Sequence, residues 1–406
     1  MTLRSRTSQD EKSEDMISPD QCEQLLDDVE EYCQELRPIE ELCYLEHRYN
    51  EASLTLARKY NLLGIHVSTQ YGGRGADLMT YMRALVRIGR EGTGVRTLFS
   101  GHCSIGQTPI IEWGNDQQKQ RYLPATASGE KVMAFGLTEP EAGSNPLEMQ
   151  STYRRDGDRY LLNGVKYLIS NGGIADTVVT FAYPEEGEGR ISAFILDTEG
   201  PTFESEELSA KLGLPTSNTA MFELSDHPVP VENLLGGEGD GWKIAMATLR
   251  SGRLSVSAGC LGVIEDCLQE ALNYARERSQ HGKAIGRHQL VQDHLARIEI
   301  ARQASESLLR TAVEAKLASD AQPDHPELLQ TADLLAAETK YFVSNAACEA
   351  ADRAVQVFGG RGYSELFRPG RHWQDVRVCR IYEGTDEVLK LKIAGALLGK
   401  DYSAFR

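Results

Sequence analysis

The 406-residue sequence lacks several features that would assign it to a membrane, nucleic-acid or metal-dependent class. No stretch approaches the roughly 18 uninterrupted apolar residues that a membrane-spanning helix needs. Basic residues are scarce: 43 Lys and Arg stand against 60 Asp and Glu, which gives a net charge of −17. Such a charge repels phosphate backbones and anionic lipid surfaces. We therefore expect no nucleic-acid partner and no membrane partner.

Cysteine and glycine patterns exclude further classes. The eight cysteines form no C-x-x-C pair and no Cys/His cluster at zinc-ligand spacing, so we expect reduced thiols and no metal. No Walker lysine loop is present, and no G-x-G-x-x-G follows a strand. Residues 1–18 lack the apolar core of a secretory signal and are too acidic for a transit peptide. We expect a cytoplasmic protein.

The hydrophobic periodicity changes twice along the chain, which predicts an α+β multidomain protein. We expect a flexible tail over residues 1–20, helices over 21–129, a β domain over 130–241 and helices again over 242–406. Pro38 predicts a break in the first helix, and Asn163–Gly164 predicts a turn in a β meander. The long C-terminal helices with short loops predict an antiparallel four-helix bundle.

Two segments of the middle region carry side chains that suit ligand binding. Residues 135–145 read F-G-L-T-E-P-E-A-G-S-N and offer hydroxyls and backbone N–H groups to a ligand rich in acceptors. Residues 166–172 end a strand on which alternation sends Leu168 and Ser170 to one face, and Tyr167 and Ile169 to the other. Taken alone, the two segments are also compatible with an ordinary loop and an ordinary strand end.

Three further segments lie in the C-terminal region. Residues 276–289 form a basic loop in an acidic protein, suited either to pyrophosphate oxygens or to capping two helix ends. Residues 356–363 read Q-V-F-G-G-R-G-Y, where glycines either cap a helix or let backbone approach a flat ligand. Residues 381–387 read I-Y-E-G-T-D-E. Burial would raise the pKa of Glu383 and make it a usable base, whereas an exposed glutamate would have no such role.

The order and spacing of these segments resemble the acyl-CoA dehydrogenase family from about Gln21 to the C-terminus, with closer likeness to its short- and medium-chain branch. The shared motifs are L-T-E-P-x-A-G-S, an I-S-N strand end, R-x-x-x-G…Q, Q-x-x-G-G-x-G and Y-E-G-T. The resemblance implies an N-terminal helical domain, a middle β-barrel or sandwich domain and a C-terminal four-helix bundle. It also implies a homotetramer with FAD held between the β domain and the bundle.

The resemblance assigns site residues position by position. It implies FAD contacts at Phe135, Leu137, Thr138, Gly143, Ser144, Leu168, Ile169, Ser170, Thr385 and Glu387. It implies that the FAD of a neighbouring subunit is reached by Arg278, Gln280, Gln289, Gln356, Gly359 and Gly360. It places the acyl-CoA near Ser144, Arg253, Glu383 and Gly384.

The implied reaction is the α,β-dehydrogenation of an acyl-CoA thioester to the trans-2-enoyl thioester, as in fatty-acid β-oxidation. Glu383 would abstract the α-proton while the β-hydride passes to flavin N5, and the Glu383 N–H would help to hold the thioester carbonyl. Other branches place the base directly before the residue aligned with Arg253; here that residue is Gly252, so Glu383 is the candidate base. Electron-transfer flavoprotein is the expected acceptor.

Several positions depart from the family pattern. Leu168 stands where an aromatic residue usually covers the flavin, His281 replaces a Phe, Gln374 an Arg and Asn145 an Asp. The alternatives are another flavin enzyme on the same fold, either oxidase-like or monooxygenase-like, and a non-catalytic relative. Y-E-G-T argues against a monooxygenase, which needs no base for an α-proton. The sequence does not indicate the acyl length or whether the thioester is carried by CoA or by an acyl-carrier protein.

Overall fold

The computed structural model describes residues 17–186, 189–402 and 404. It shows helices, then a β-sheet, then helices, which confirms the predicted α+β fold class. Most of the tail predicted over residues 1–20 lies outside the described residues, and Pro19 already begins a helix with Ser18 as its N-cap. None of the described helices is long and apolar enough to cross a bilayer.

The N-terminal region is helical. Its elements are α1 (Pro19–Leu45), α2 (Glu51–Lys59), α3 (Leu78–Glu91), α4 (Thr93–Phe99), a π-helical stretch (Ser100–Gln107), α5 (Thr108–Trp113) and α6 (Asp116–Ala127). Side chains cap several of these helices: Asp77 accepts from the N–H of Thr80 at the start of α3, for example.

The break predicted at Pro38 is wrong, because α1 continues through it to Leu45. A proline inside a helix removes one N–H, here the donor to the Gln34 carbonyl. Pro38 and Gln34 both lie on the exposed side of the helix, where water can bond that carbonyl. The opposite face keeps burying apolar residues on both sides of the proline, including Leu36 and Cys43. Tertiary packing therefore outweighs the local penalty.

The middle region is one mixed sheet. Its strands are β1 (Met133–Gly136), β2 (Thr152–Asp156), β3 (Arg159–Ser170), β4 (Thr177–Pro184), β5 (Ser192–Asp197), β6 (Phe203–Glu207), β7 (Thr219–Pro230) and β8 (Leu234–Leu235). The strand order is β6-β7-β3-β2-β4-β5-β8, and β1 pairs with β4 in parallel. The loop that follows Gly136 leaves β1 close to the end of β3, where the N–H of Tyr167 donates to the Thr138 carbonyl.

The turn predicted at Asn163–Gly164 is also wrong, since β3 runs through it as a single strand of 12 residues. The pairing with β7 shifts register between Leu162 and Gly164, which marks a bulge. A Cβ at Gly164 would lie 2.2 Å from Ser151 Oγ, so this glycine serves a close approach between strands. The N-G pair is a local hairpin signal, and the pairing of β3 with β2 and with β7 outweighs it here.

The C-terminal region contains four helices that pack as a bundle, α7 (Gly241–Glu277), α8 (Gln289–Ala321), α9 (Pro326–Phe358) and α11 (Asp386–Leu398), with α10 (Arg368–Val376) beside them. A short hairpin, β9 (Ser279–Gln280) and β10 (Lys283–Ala284), joins α7 to α8. Helix α7 is buried almost continuously from Arg250 to Ile264, which places it at the centre of the molecule. One apolar core extends from α1 and α3 into α7, α8 and α9 without interruption.

Helices α3 and α7 cross with their backbones in contact. A Cβ at Gly89 would lie 2.5 Å from the Gly259 carbonyl oxygen, and one at Gly262 would lie 2.1 Å from the Val86 carbonyl oxygen. Glycine is the residue that permits this approach. The crossing fixes the end of α3, and with it α4, against the centre of α7.

We predict that Gly262→Ala destabilises the protein by about 1–3 kcal/mol, because the added methyl forces the two helices apart. The better helix propensity of alanine, worth about 1 kcal/mol, acts in the opposite direction and is outweighed. Thermal unfolding of the purified protein measures the effect. Ser307→Ala, at an exposed position on α8, is the matched control and should melt within error of the wild type. A Gly262→Ala protein as stable as the wild type would contradict close packing at this crossing.

Candidate active site

The loop that carries Glu383 has an unusual backbone. Glu383 has φ +55° and Gly384 has φ +99°, so two consecutive residues adopt left-handed conformations. A non-glycine residue in this region costs free energy and persists only where its surroundings hold it. Thr385 follows as the N-cap of α11 and accepts from the Val388 N–H.

Two buried cations hold this loop through its backbone. Arg253 Nε on α7 donates to the Glu383 carbonyl oxygen at 3.2 Å, and Lys340 Nζ on α9 donates to the Gly384 carbonyl oxygen at 2.6 Å. Lys340 is fully buried, and Arg253 also lies 3.5 Å from an Asp333 carboxylate oxygen. Each cation therefore fixes one of the two left-handed residues to a different helix of the bundle.

The carboxylate of Glu383 points into the protein. Its Oε2 atom is buried and has no hydrogen-bond partner. A Cβ at Gly252 would lie 2.5 Å from that oxygen, so the glycine on α7 makes the space that the carboxylate occupies. Burial raises the pKa of Glu383 to about 7, although the charges of Arg253, Lys340 and Arg96 act to lower it. Glu383 is thus a carboxyl group that changes its protonation state near neutral pH.

The loop after β1 is fixed by a buried ion pair. Glu139 Oε1 lies 2.7 Å from Lys166 Nζ on β3, and the same carboxylate accepts from the N–H groups of Gln150 and Ser151. Phe135 and Leu137 are buried where this loop begins, whereas Gly143 and Ser144 are exposed at its far side. A Cβ at Gly143 would meet nothing within 4 Å, so backbone is accessible there.

The predicted alternation over residues 167–170 does not hold, because a bulge interrupts it. Lys166 pairs with Phe222 and Ile169 pairs with Ala220, so two residues of β3 face one residue of β7. Leu168 takes φ +59°, and it is 55% exposed, while Ile169 is buried. The bulge therefore turns Leu168 outward independently of Ser170, as bulges beside binding sites often do.

The end of β3 and the Glu383 loop meet at α4 and the π-helical stretch. A Cβ at Gly101 would lie 3.4 Å from the Ser170 Cβ. Ser100, the preceding residue, accepts from Arg96 Nη1 at 2.8 Å, and Arg96 also donates to the Tyr382 hydroxyl. π-Helical turns are rare and occur frequently at functional sites. Ser170 and Tyr382, the residue before Glu383, therefore both lie against this segment.

The remaining predicted residues lie at a different end of the molecule. Tyr274 on α7 stacks on Phe358 on α9, with ring centroids 4.2 Å apart, which joins the α7–α8 loop to the end of α9. The predicted FAD contacts at this end are all exposed: Arg278, Gln280, Gln289, Gln356, Gly359 and Gly360. Gln356 follows Lys340 by more than four helical turns, or about 24 Å along α9. One chain therefore does not bring this set to Glu383.

Sequence analysis missed three residues of the site. Lys340 occupies a buried position on α9 between Ala336 and Ala347, and a charge inside such an apolar stripe is a signal that could have been noticed. Glu139 lies in the motif already singled out, but its partner Lys166 could not be inferred from spacing. Arg96 lies in a helix of seven residues that is buried all round, so no periodicity marks it.

The chain is similar to known proteins over most of its length. Family models of the acyl-CoA dehydrogenase N-terminal, middle and C-terminal domains match residues 19–130, 134–227 and 239–398. An acyl-CoA dehydrogenase of Bacillus subtilis is 40% identical over 84% of this chain and 88% of that protein. A short-chain specific acyl-CoA dehydrogenase of Clostridium acetobutylicum is 36% identical over 89% of this chain and 94% of that protein.

Solved structures show the same likeness. Butyryl-CoA dehydrogenase from Megasphaera elsdenii superposes with a TM-score of 0.87 at 33% identity, over 95% of this chain and all of that one. The Bacillus anthracis acyl-CoA dehydrogenase complexed with FAD superposes with a TM-score of 0.86 at 29% identity, over 96% of this chain and 69% of that one.

We predict that Glu383 makes stability depend on pH. Because its pKa is about 7 in the folded protein and lower when unfolded, the unfolded state loses its proton first and stability falls as pH rises to 7. Glu383→Gln has no carboxyl group to ionise, so the variant does not lose this stability. From pH 4.5 to 8 its unfolding free energy should rise relative to that of the wild type by about 3 kcal/mol. Denaturant titrations across this range measure it. Glu204→Gln, at an exposed carboxylate, should show no such trend, and equal pH dependence of both variants would refute burial of Glu383.

Proposed function

The chain belongs to the acyl-CoA dehydrogenase family, and from this we propose that it oxidises a short acyl-CoA to the trans-2-enoyl thioester with Glu383 as the base. The enzyme is an FAD-dependent oxidoreductase of the kind that acts in fatty-acid β-oxidation. One observation carries the assignment of the base. The Glu383 carboxylate has no hydrogen-bond partner, its Oε2 atom is buried against Gly252, and its pKa is about 7.

The residues around the end of β3 suit a flavin. Leu168 is an exposed apolar side chain held outward by the bulge, and Gly143 leaves backbone open to a ligand. FAD, when bound, supplies the acceptor for the hydride that leaves the β-carbon. We infer that this chain would hold it with Phe135, Leu137, Thr138, Gly143, Ser144, Leu168, Ile169, Ser170, Thr385 and Glu387.

The chain's own residues provide the acid–base chemistry. The Glu383 carboxylate removes the α-proton, and a pKa near the working pH suits a base. Arg253 and Lys340 do not pair with the carboxylate but hold the loop backbone, so they position the base without neutralising it. The Glu383 N–H would donate to the thioester carbonyl and stabilise the negative charge that develops as the proton leaves.

We propose that the complete FAD site needs a second copy of the chain. The exposed set at the end of the bundle lies about 24 Å along α9 from the Glu383 loop. In an assembly, one subunit would contact the FAD held by another through Arg278, Gln280, Gln289, Gln356, Gly359 and Gly360. The resemblance to the family implies such an assembly, a homotetramer. The exposure of these residues in the single chain supports this arrangement.

The proposed electron acceptor is an electron-transfer flavoprotein. An oxidase reaction is the second candidate, and Leu168 is the observation that favours it, since a small side chain stands where an aromatic usually covers the flavin. Stopped-flow reoxidation of the substrate-reduced enzyme separates the two. Faster reoxidation by electron-transfer flavoprotein than by dioxygen supports a dehydrogenase, and the reverse order supports an oxidase.

We predict that Glu383→Gln retains bound FAD but reduces it at least 10²–10⁴-fold more slowly, because a positioned base contributes about that factor. Anaerobic mixing with a panel of acyl-CoAs, followed by flavin bleaching, measures the rate and identifies the preferred thioester. In the wild type the rate should rise with pH through about 7, since the ionised carboxylate is the form that takes a proton.

The matched control is Glu204→Gln, which changes an exposed carboxylate on β6 and should reduce FAD at the wild-type rate with the same pH profile. Bleaching of the Glu383→Gln protein at the wild-type rate would show that Glu383 is not the base.

A further inference from the structure

A second charged group lies buried beside Glu383 and has no role in the reaction described above. Arg96 on α4 is 1% exposed, and its Nε atom has no hydrogen-bond partner. Its Nη1 donates to Ser100 Oγ and its Nη2 to the Tyr382 hydroxyl, both of which are neutral groups. Within the described part of the chain, no carboxylate oxygen lies within 4 Å of the Arg96 guanidinium.

This arrangement is costly unless an anion completes it. Arginine stays charged in proteins, and a buried charge without a counter-charge is strongly unfavourable. The Tyr382 ring, 5.7 Å from the guanidinium carbon, offers only a weak cation–π contact. The internal alternative is Cys379, whose Sγ lies 3.1 Å from the Tyr382 hydroxyl. Burial raises the pKa of that thiol, but a hydrogen bond with Cys260 and the charge of Arg96 lower it by more, so the net shift is downward. A Cys379 thiolate is therefore the competing counter-charge for Arg96.

The position of Arg96 relative to the base follows from one face of α7. Gly252 makes room for the Glu383 carboxylate, and a Cβ at Gly259 would lie 2.7 Å from Arg96 Nε. Ser255 lies between these glycines and contacts Ser100 Oγ at 2.9 Å. Gly259 lies seven positions after Gly252, which is about 10 Å along the helix. The base and the guanidinium therefore face the same stripe of small residues on α7, at positions about 10 Å apart along the helix.

We propose that Arg96 binds a carboxylate at the far end of the substrate's acyl chain, so that the thioester oxidised is a short α,ω-dicarboxylic acyl-CoA. This rests on the proposed function, in which Glu383 contacts the α-carbon. With the α-carbon at Glu383 and the β-carbon near Ser170 and Gly101, the chain continues toward α4, where Arg96 lies one turn before Ser100. A planar guanidinium with a free N–H matches the two oxygens of a carboxylate, which a methyl terminus cannot provide.

The experiment compares substrates of equal length and different charge. Glutaryl-CoA carries the carboxylate, glutaramyl-CoA replaces it with a neutral amide, and pentanoyl-CoA ends in a methyl group. For the FAD-loaded wild type, kcat/KM for glutaryl-CoA should exceed that for both neutral thioesters by on the order of 100-fold or more, since leaving a buried charge unpaired is costly. Arg96→Gln should abolish or invert this preference. Arg96→Lys, which keeps the charge but loses the fork, should retain part of it.

Control variants separate recognition from structure. Arg83→Gln changes a half-exposed arginine on the neighbouring helix α3 and should leave the preference unchanged. Cys379→Ser removes the competing thiolate and should also retain it. A merely structural Arg96 would instead lower kcat/KM for all three thioesters by the same factor when changed to Gln. That result, or a wild type that prefers pentanoyl-CoA, overturns the proposal while leaving the proposed function intact.

A binding measurement keeps the two proposals distinguishable. In Glu383→Gln protein, calorimetric titration should show glutaryl-CoA binding on the order of 100-fold more tightly than glutaramyl-CoA, with the difference lost in the Arg96→Gln/Glu383→Gln double variant. If no thioester bleaches the wild-type flavin but this difference is present, the proposed reaction fails and the Arg96 site stands. Equal binding of both thioesters rejects the Arg96 site.

Discussion

The site depends on holding one carboxyl group without a hydrogen-bond partner, on a backbone that would not adopt its conformation unaided. Glu383 occupies a left-handed position followed by a second one at Gly384, and each carbonyl oxygen is bound by a cation from a different helix of the bundle. Because Arg253 and Lys340 bind the carbonyl oxygens instead of the carboxylate, the carboxylate remains without a partner and its pKa stays near 7. A salt bridge to either cation would give a permanently ionised, less basic group.

The same constraint explains features of the fold that lie away from the loop. The cations reach the loop only because α7 and α9 are central helices, and the carboxylate fits only because position 252 has no side chain. The glycines farther along α7 let α3 and α4 approach, which brings Ser100 and Arg96 against the Glu383 loop. The N-terminal helices therefore share one core with the bundle, and they form one wall of the site instead of a separate cover.

The sequence predicted the order of the regions and the long helices, because periodicity and motif spacing are local signals. The role of Glu383 stays a prediction. The sequence-based prediction failed at Pro38 and at Asn163–Gly164, where packing against distant segments outweighs the local preference. It also could not show that a bulge turns Leu168 outward, since the bulge depends on pairing with β7. Lys340 and Arg96 were missed because their roles arise from contacts across 44 and 286 positions of the chain.

The cations around Glu383 differ in whether a carboxylate pairs with them, and this difference bears on what the site can bind. Arg253 shares Asp333 with other cations, whereas Lys340 meets a carbonyl oxygen and Arg96 meets two hydroxyls. With Glu383 protonated, the buried region around the loop is therefore positively charged, and ionisation of Glu383 offsets only part of that charge. A site of this kind favours ligands that bring negative charge, either developed at a thioester carbonyl as the α-proton leaves or carried permanently on the acyl chain. The first is a charge of the transition state and affects the rate; the second is a charge of the ground state and affects which thioester is selected.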